Sequence, residues 1–268
     1  MKIINDISSI EKYTTPTAMT IGMFDGIHPG HQKIFKFLQK KNATNKSVVV
    51  TFENHPSWIL KPTSSRHLVY PTKQKLKLLE IYSIDLVILL KFTKDLANQT
   101  FDYFLRSIYQ KLPFSHLVLG HNSTFGKNKD GNKQNIELFS KEMNFESHYL
   151  SFEKYNNNII SSSKIRKALS NNDFPLASSF LGRNYSLYFH YQETPLILKD
   201  NNYYLLRYPL DKLHLPKTGV YSVKISTPQV TLQCLAKRKK DCLDLYIKDM
   251  GKLKLPCNIF ITFEKSLL

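Results

Sequence analysis

Long apolar runs are missing from this chain of 268 residues, so nothing in it predicts a membrane-spanning helix. The N-terminus lacks an apolar stretch and carries Asp6 and Glu11, which argues against a secretory signal. Cysteine is scarce: Cys234, Cys242 and Cys257 are the whole set. Their spacing fits no metal or redox motif and excludes a disulfide framework. These absences predict a reduced, cytoplasmic protein. Glycine is also sparse, with nine residues, none of them from Asn184 through Lys217. No internal repeat or long low-complexity linker is visible.

Acidic residues are outnumbered 21 to 38, leaving a formal charge of +17. That balance favours anionic partners. The lysines are scattered, and basic clusters such as Lys237-Arg238-Lys239-Lys240 are short. A nucleic-acid surface would gather them beside exposed aromatics, so small phosphates are the better match. With 42% hydrophobic and 22% charged residues, the chain reads as globular, with one or two domains.

The first two thirds alternate in period. Strands are expected at 18–22, 47–52, 86–90, 115–120 and 147–152. Helices are expected at 29–41, 72–81, 99–110 and 135–143, with Thr72 as an N-cap. This alternation predicts a parallel sheet covered by helices. Further helices are expected from Ser161 to Ser170 and from an Asp173 cap to Gly182. Beyond Arg183 the texture becomes strand-like and aromatic, at 185–191, 203–208, 220–226, 231–236, 242–248 and 258–263. That pattern predicts a small antiparallel barrel or sandwich. The domains are therefore placed at 1–182 and 183–268.

Ligands in parallel α/β sheets bind at the carboxyl ends of strands, and the chemistry-bearing segments fall there. The first is Gly22-Met23-Phe24-Asp25-Gly26-Ile27-His28-Pro29-Gly30-His31. His28 and His31 flank a helix start, where free N–H groups attract anions. Their imidazoles can donate to triphosphate oxygens and stabilise charge developing in phosphoryl transfer. Pro29 suits the first helical turn, and Gly30 leaves room for a ligand. Asp25 can orient the loop, hold a ligand or metal, or form a simple turn with Gly26.

The second segment is Phe52-Glu53-Asn54-His55-Pro56, where His55 either binds phosphate or shapes the pocket. The third is Gly120-His121-Asn122-Ser123-Thr124-Phe125-Gly126. Asn122 and Ser123 can hydrogen-bond a heterocycle or phosphate, and Phe125 can stack on a ring or pack inward. The fourth is Ile160-Ser161-Ser162-Ser163-Lys164-Ile165-Arg166, a serine-rich helix entry with two cations, suited to phosphate. No residue is predicted as a protein metal ligand. Any ion is expected to be magnesium held by ATP oxygens and water.

Taken in order, these segments resemble the prokaryotic bifunctional riboflavin kinase/FMN adenylyltransferase (FAD synthetase) family. Its HxGH element is similar to His28-Pro29-Gly30-His31. The preceding Gly, Asn, Phe, Asp, Gly pattern matches Gly22, Phe24, Asp25 and Gly26, with Met23 for Asn. Phe-x-Pro-His-Pro matches Phe52, His55 and Pro56, with Asn54 for Pro. The Ile-Ser-Ser-Thr-x-Ile-Arg motif matches Ile160, Ser161, Ser162, Ile165 and Arg166, with Ser163 for Thr. Leu181, Gly182, Arg183 and Tyr185 match the joint before the second domain.

The resemblance implies a Rossmann-like nucleotidyltransferase domain followed by a smaller antiparallel β-barrel. It implies transfer of AMP from ATP to FMN, giving FAD and pyrophosphate, with Mg2+ accompanying ATP. His28, His31 and Arg166 would be catalytic. Gly22, Phe24, Asp25, Gly26, Gly30, His55, Asn122, Phe125, Ser161, Ser162, Ser163 and Lys164 would bind substrate.

Two departures stand out. The family's Gly-x-Asp-Phe-x-Phe-Gly is reduced here to Gly120, Phe125 and Gly126 around Asn122, Ser123 and Thr124. The kinase module's glycine-rich segment, ending in Gly-Phe-Pro-Thr-Ala-Asn, has only Tyr208-Pro209-Leu210-Asp211 as its nearest counterpart. Thr218-Gly219-Val220-Tyr221 does match the later strand, and Leu243-Asp244-Leu245-Tyr246 resembles a fragment near the catalytic glutamate. Weak or lost riboflavin kinase activity is therefore expected. The competing readings are a fully bifunctional enzyme, a nucleotidyltransferase with another acceptor, and a non-catalytic basic RNA-binding protein.

Overall fold

A computed structural model describes residues 1–41, 46–61, 63, 67–190, 196–200, 203–210, 213–248, 253 and 258–267. Tyr191, Asp211 and Cys257, which entered the sequence analysis, lie outside the described residues. By contact density the chain forms two compact units, 1–66 with 77–159, and 67–76 with 160–268. This division follows packing and differs from the boundary expected after residue 182.

The first unit is a six-stranded parallel sheet of β1 (Lys2–Ile4), β2 (Thr17–Ile21), β3 (Lys46–Phe52), β4 (Leu86–Leu90), β5 (Phe114–Gly120) and β6 (Glu146–Leu150). The strand order is β1-β4-β3-β2-β5-β6. Every pairing in it is parallel. Helices α1 (Pro29–Lys41), α2 (Ser57–Leu60), α3 (Thr72–Ile81), α4 (Lys94–Asn98), α5 (Phe101–Tyr109) and α6 (Lys133–Glu142) follow the strands in sequence, the first half of α3 counting with the second unit. A short hairpin, β7 (Lys154–Tyr155) and β8 (Asn158–Ile159), comes after β6. The central strands are continuous apolar runs because both faces are covered. All five residues of β2 are buried. Met19, Val48, Val50, Ile88, Leu117 and Leu119 join Phe104, Leu105 and Ile108 of α5 in one core.

Several expected boundaries move for local reasons. Helix α3 begins at Thr72, so the cap position falls to Pro71, whose carbonyl accepts the Lys75 N–H at 3.1 Å. The 99–110 helix begins only at Phe101, because Gln99 ends the separate helix α4. Helix α6 starts two residues early at Lys133, capped by Asn132, whose side-chain oxygen accepts the Asn135 N–H at 3.1 Å. Strand β1 was not expected; three residues carry too little periodicity to read.

The second unit holds α7 (Ser162–Ser170), α8 (Phe174–Leu181) and seven antiparallel strands. These are β9 (Ser186–Phe189), β10 (Leu196–Asp200), β11 (Tyr203–Pro209), β12 (Gly219–Ser226), β13 (Thr231–Arg238), β14 (Cys242–Ile247) and β15 (Ile259–Ser266). They form a curled half-barrel in the order β10-β11-β14-β13-β12-β15-β9, the antiparallel β domain that the texture predicts. Strand β10 is an addition to that reading. Asp173 caps α8 as expected, accepting the Leu176 N–H at 3.0 Å, and Gly182 ends it in the left-handed region at φ 69°. Buried Tyr185, Tyr208 and Tyr221 fill the interior. Residues 67–76 belong with this unit partly through Gln74. Its amide donates to the Ser186 carbonyl at 2.7 Å and accepts the Tyr188 N–H at 3.0 Å.

Candidate functional site

In the first unit the strand order reverses at β2, which lies between β3 and β5. A parallel sheet opens a crevice at such a point, beyond the strand carboxyl ends. Three of the four expected segments contribute to it. A cavity of about 410 Å3 is lined by Gly22 and Met23 after β2, Phe52 and Pro56 after β3, Phe92 after β4, and Asn122 to Gly126 after β5. Leu60, Leu96 and Phe104 complete its apolar walls. The size falls within the range of small-molecule sites, and walls of aromatic rings with a few polar groups suit a flat heterocycle.

Beside it, residues 22–31 form a tight turn. Phe24 (φ 49°) and Ile27 (φ 40°) take positive φ, which costs a non-glycine residue strain, while Gly26 takes φ 82° freely. The turn is held from below. The Gly22 N–H donates to the Val50 carbonyl at 3.0 Å, and the Thr51 hydroxyl donates to the Met23 carbonyl at 3.2 Å. The Ile27 carbonyl accepts from the Gln32 side-chain amide at 3.0 Å.

Helix α1 then begins at Pro29, as its missing N–H allows. The three-residue spacing stacks the His28 and His31 rings, with centroids 3.7 Å apart and planes 21° from parallel. Phe24 meets His31 edge-on at 5.2 Å and Phe35 at 5.1 Å. Phe24 is thus a buried prop for the imidazole pair, not an exposed ligand contact.

The two glycines serve the same packing. A Cβ on Gly22 would stand 2.9 Å from the Phe24 ring, and one on Gly30 would stand 3.2 Å from the His28 ring. The open space that sequence reading assigns to a ligand is here filled by the motif's own rings. Asp25 is buried in the turn.

His55 Nδ1 accepts from the Ser57 N–H at 3.1 Å and lies 2.8 Å from the Ser57 hydroxyl, so this ring nitrogen starts α2. Asn54, which stands where the family pattern has proline, is clamped to Phe92. Its amide donates to the Phe92 carbonyl at 2.9 Å, and its oxygen accepts the Phe92 N–H at 2.8 Å. Asn122 is exposed at the pocket mouth. The Ser123 hydroxyl accepts the Gly120 N–H at 3.0 Å and closes the loop. Phe125 lines the cavity and packs on Phe104 with centroids 6.3 Å apart.

The Ser-rich segment lies in the second unit. Ser161 is the N-cap of α7, its hydroxyl oxygen accepting the Lys164 N–H at 3.4 Å. Ser162 and Ser163 open the first turn. The Arg166 side chain is buried and reaches the Ser163 hydroxyl at 3.4 Å. Its carbonyl lies 2.8 Å from His214 Nε2, which also meets the Ser170 hydroxyl at 2.9 Å. Burial holds His214 below the usual histidine range.

Sequence reading missed Asn54 as a clamp and Phe92, Leu96 and Phe104 as walls. Phe92 had a usable signal, since it follows the end of a recognised strand. Leu96 and Phe104 come from α4 and α5 and carry no motif.

Comparison with known proteins agrees with this geometry. The sequence pattern of the FAD synthetase family matches residues 10–164. The bifunctional riboflavin kinase/FMN adenylyltransferase of Buchnera aphidicola subsp. Acyrthosiphon pisum is 33% identical, over 84% of this chain and 73% of that protein. A protein of Listeria monocytogenes named FAD synthetase is 28% identical, over 82% of this chain and 86% of that protein. A crystal structure of a Streptococcus pneumoniae protein, described as a macrolide-efflux protein, superposes with a TM-score of 0.82. It covers 99% of this chain and 90% of its own at 20% identity, and so shows the shared fold alone. The chain belongs to the FAD synthetase family.

Proposed function

We propose that this member of the FAD synthetase family is an FMN adenylyltransferase with little or no riboflavin kinase activity. The observation that carries the reading is a stacked His28–His31 ring pair next to an aromatic-walled cavity at one sheet switch point. A triphosphate suits the imidazoles and the α1 N-terminus, and an isoalloxazine ring suits the phenylalanine walls.

An FMN phosphate oxygen attacks the ATP α-phosphorus in line, forming the new P–O bond as the bond to the β-phosphate oxygen breaks. Pyrophosphate leaves with the electron pair. His28 and His31 donate to the triphosphate and stabilise that developing charge. Most of the rate comes from alignment and electrostatics. Phe24, Gly22 and Gly30 hold the two rings in position, and Asp25 with Gly26 shapes the turn beneath them. Asn122 and Phe125 face the flavin, and His55 shapes the wall.

The family resemblance and the chemistry of a helix start assign Ser162, Ser163, Lys164 and Arg166 to phosphates, with Ser161 capping the helix that presents them. Magnesium needs hard oxygen ligands. Asp25 is the sole carboxylate in the 22–31 turn, so ATP oxygens and water would supply most of the coordination. The ion would neutralise phosphate charge.

Reduced kinase activity follows from the missing glycine-rich segment between Asn184 and Lys217. Asp244, within the segment that resembles a fragment near the family's catalytic glutamate, is held by Arg207 and Lys239. The Listeria relative, named for FAD synthesis alone, is matched over 86% of its length. The changed loop around Asn122 favours one second reading, a different phosphate-bearing acceptor.

The test incubates the protein with magnesium ATP and either FMN or riboflavin, then separates the flavins by chromatography. FAD from FMN, with no product from riboflavin, is expected. FAD from both would restore the bifunctional reading. FMN alone from riboflavin would reverse the assignment of activity to domain. Absence of any flavin product would remove flavin as the acceptor.

A further inference from the structure

The opposite ends of strands β5 and β6 carry a second cluster. Glu146 opens β6, and His148 follows it two residues later on the same sheet face. Parallel register places His116 of β5 opposite Glu146. Three donor atoms meet there. His116 Nδ1 and His148 Nε2 lie 3.2 Å apart. Glu146 Oε2 lies 3.5 Å from His116 Nδ1 and 3.3 Å from His148 Nε2.

Two neutral imidazoles can share one hydrogen in such a contact, and the carboxylate oxygen closes the triangle at 3.5 and 3.3 Å. A tetrahedral ion with bonds of about 2.0–2.1 Å sets neighbouring donors about 3.3–3.4 Å apart. The observed triangle therefore has the dimensions of one tetrahedral face. Two imidazoles and a carboxylate are a donor set for zinc and related divalent transition ions.

We propose that His116, Glu146 and His148 bind one Zn2+ ion, with a fourth position open to water, and that the ion ties edge strand β6 to β5. His116 and His148 are largely covered, with 13% and 22% of their side chains exposed, whereas Glu146 is 64% exposed and admits an ion from solvent. The Phe37 ring of α1 packs on His148 at 4.9 Å and fixes its orientation. Lys41 Nζ is 4.0 Å from the Glu146 carboxylate and is the competing cation. The site is separate from the nucleotide site, which lies beyond the other ends of these strands.

The test uses the whole chain freed of metal and titrated with Zn2+ alone, followed by calorimetry and thermal melting. Co2+ is the spectroscopic stand-in. One equivalent per chain is expected, with tetrahedral-type visible bands from Co2+ and a rise in Tm with Zn2+. E146Q and H148Q should weaken Zn2+ on the order of 100-fold and abolish the rise in Tm. The surface variant E146Q guards against a misfolded H148Q. The double variant H28N/H31N should keep the equivalent. Failure of the parent chain to bind stoichiometrically, or retention of the equivalent in H116Q/H148Q, overturns the site. Loss of the equivalent in H28N/H31N alone would assign the ion to the α1 start and overturn it equally.

Discussion

His28 and His31 show how much of a site a spacing can dictate. Three residues apart on a first helical turn, two imidazoles share one side, and their rings stack at 3.7 Å. Replacing His31 by alanine removes one donor to the triphosphate, so kcat should fall on the order of 10²–10³-fold. Far-UV circular dichroism should stay unchanged, since His31 lies at the helix surface next to the turn. Steady-state FAD formation by H31A checks this. Asn54 offers a contrasting residue. Its two hydrogen bonds hold the Phe92 backbone and so one cavity wall. N54A should cost about 1–3 kcal/mol of stability. It should raise KM for the flavin more than it lowers kcat, a split readable from paired kinetics and urea melts.

At the level of elements, α7 separates two uses of the same serine-rich entry. Ser161 is occupied as a cap, with a long 3.4 Å bond. S161A should therefore cost toward the lower end of about 0.5–2 kcal/mol, and turnover should change by no more than a few-fold. R166K keeps charge but loses the planar fork, so it should lower kcat/KM for ATP well beyond S161A. Equal losses in the two variants would make the segment a scaffold alone. The β elements were readable to within a residue or two where apolar runs were long. Strand β1 and strand β10 were not, because short edge strands carry few side chains on which a period can register.

Across the whole molecule, the second unit contains its own electrostatic anchor. Asp244 has no exposed side-chain surface. It meets Arg207 at 2.6 and 2.8 Å and Lys239 at 2.7 Å. Arg207 foremost, with Lys239, holds its carboxyl at about 2, below the ordinary carboxylate value of about 3.9. A depressed acid contributes stability above its unfolded pKa and loses it as pH falls through the folded one. The contribution should thus be full above about pH 4 and vanish toward pH 2. Its size is on the order of 1–2 kcal/mol, because both partner cations are partly exposed and screened. Urea midpoints at pH 5 and pH 3 should converge in D244N relative to the parent. An unchanged pH slope in D244N would assign the acid sensitivity elsewhere.

The turn and the helix start of residues 22–31 were legible from the chain alone, because both are built from neighbours in sequence. The same holds for the Asp173 cap and for the alternation that yields a parallel sheet. Only the tertiary structure decided that Gly22 and Gly30 make room for the rings of Phe24 and His28, since a glycine does not announce which atom fills the space it leaves. Only tertiary structure assembled the cavity walls, to which Phe52, Phe92, Phe104 and Phe125 come from four separate elements. The His116–Glu146–His148 triangle depends on the register of β5 against β6, which pairs position 116 with position 146. Local spacing determines what one turn or one strand face can present. Side chains brought together by strand pairing are decided by the sheet.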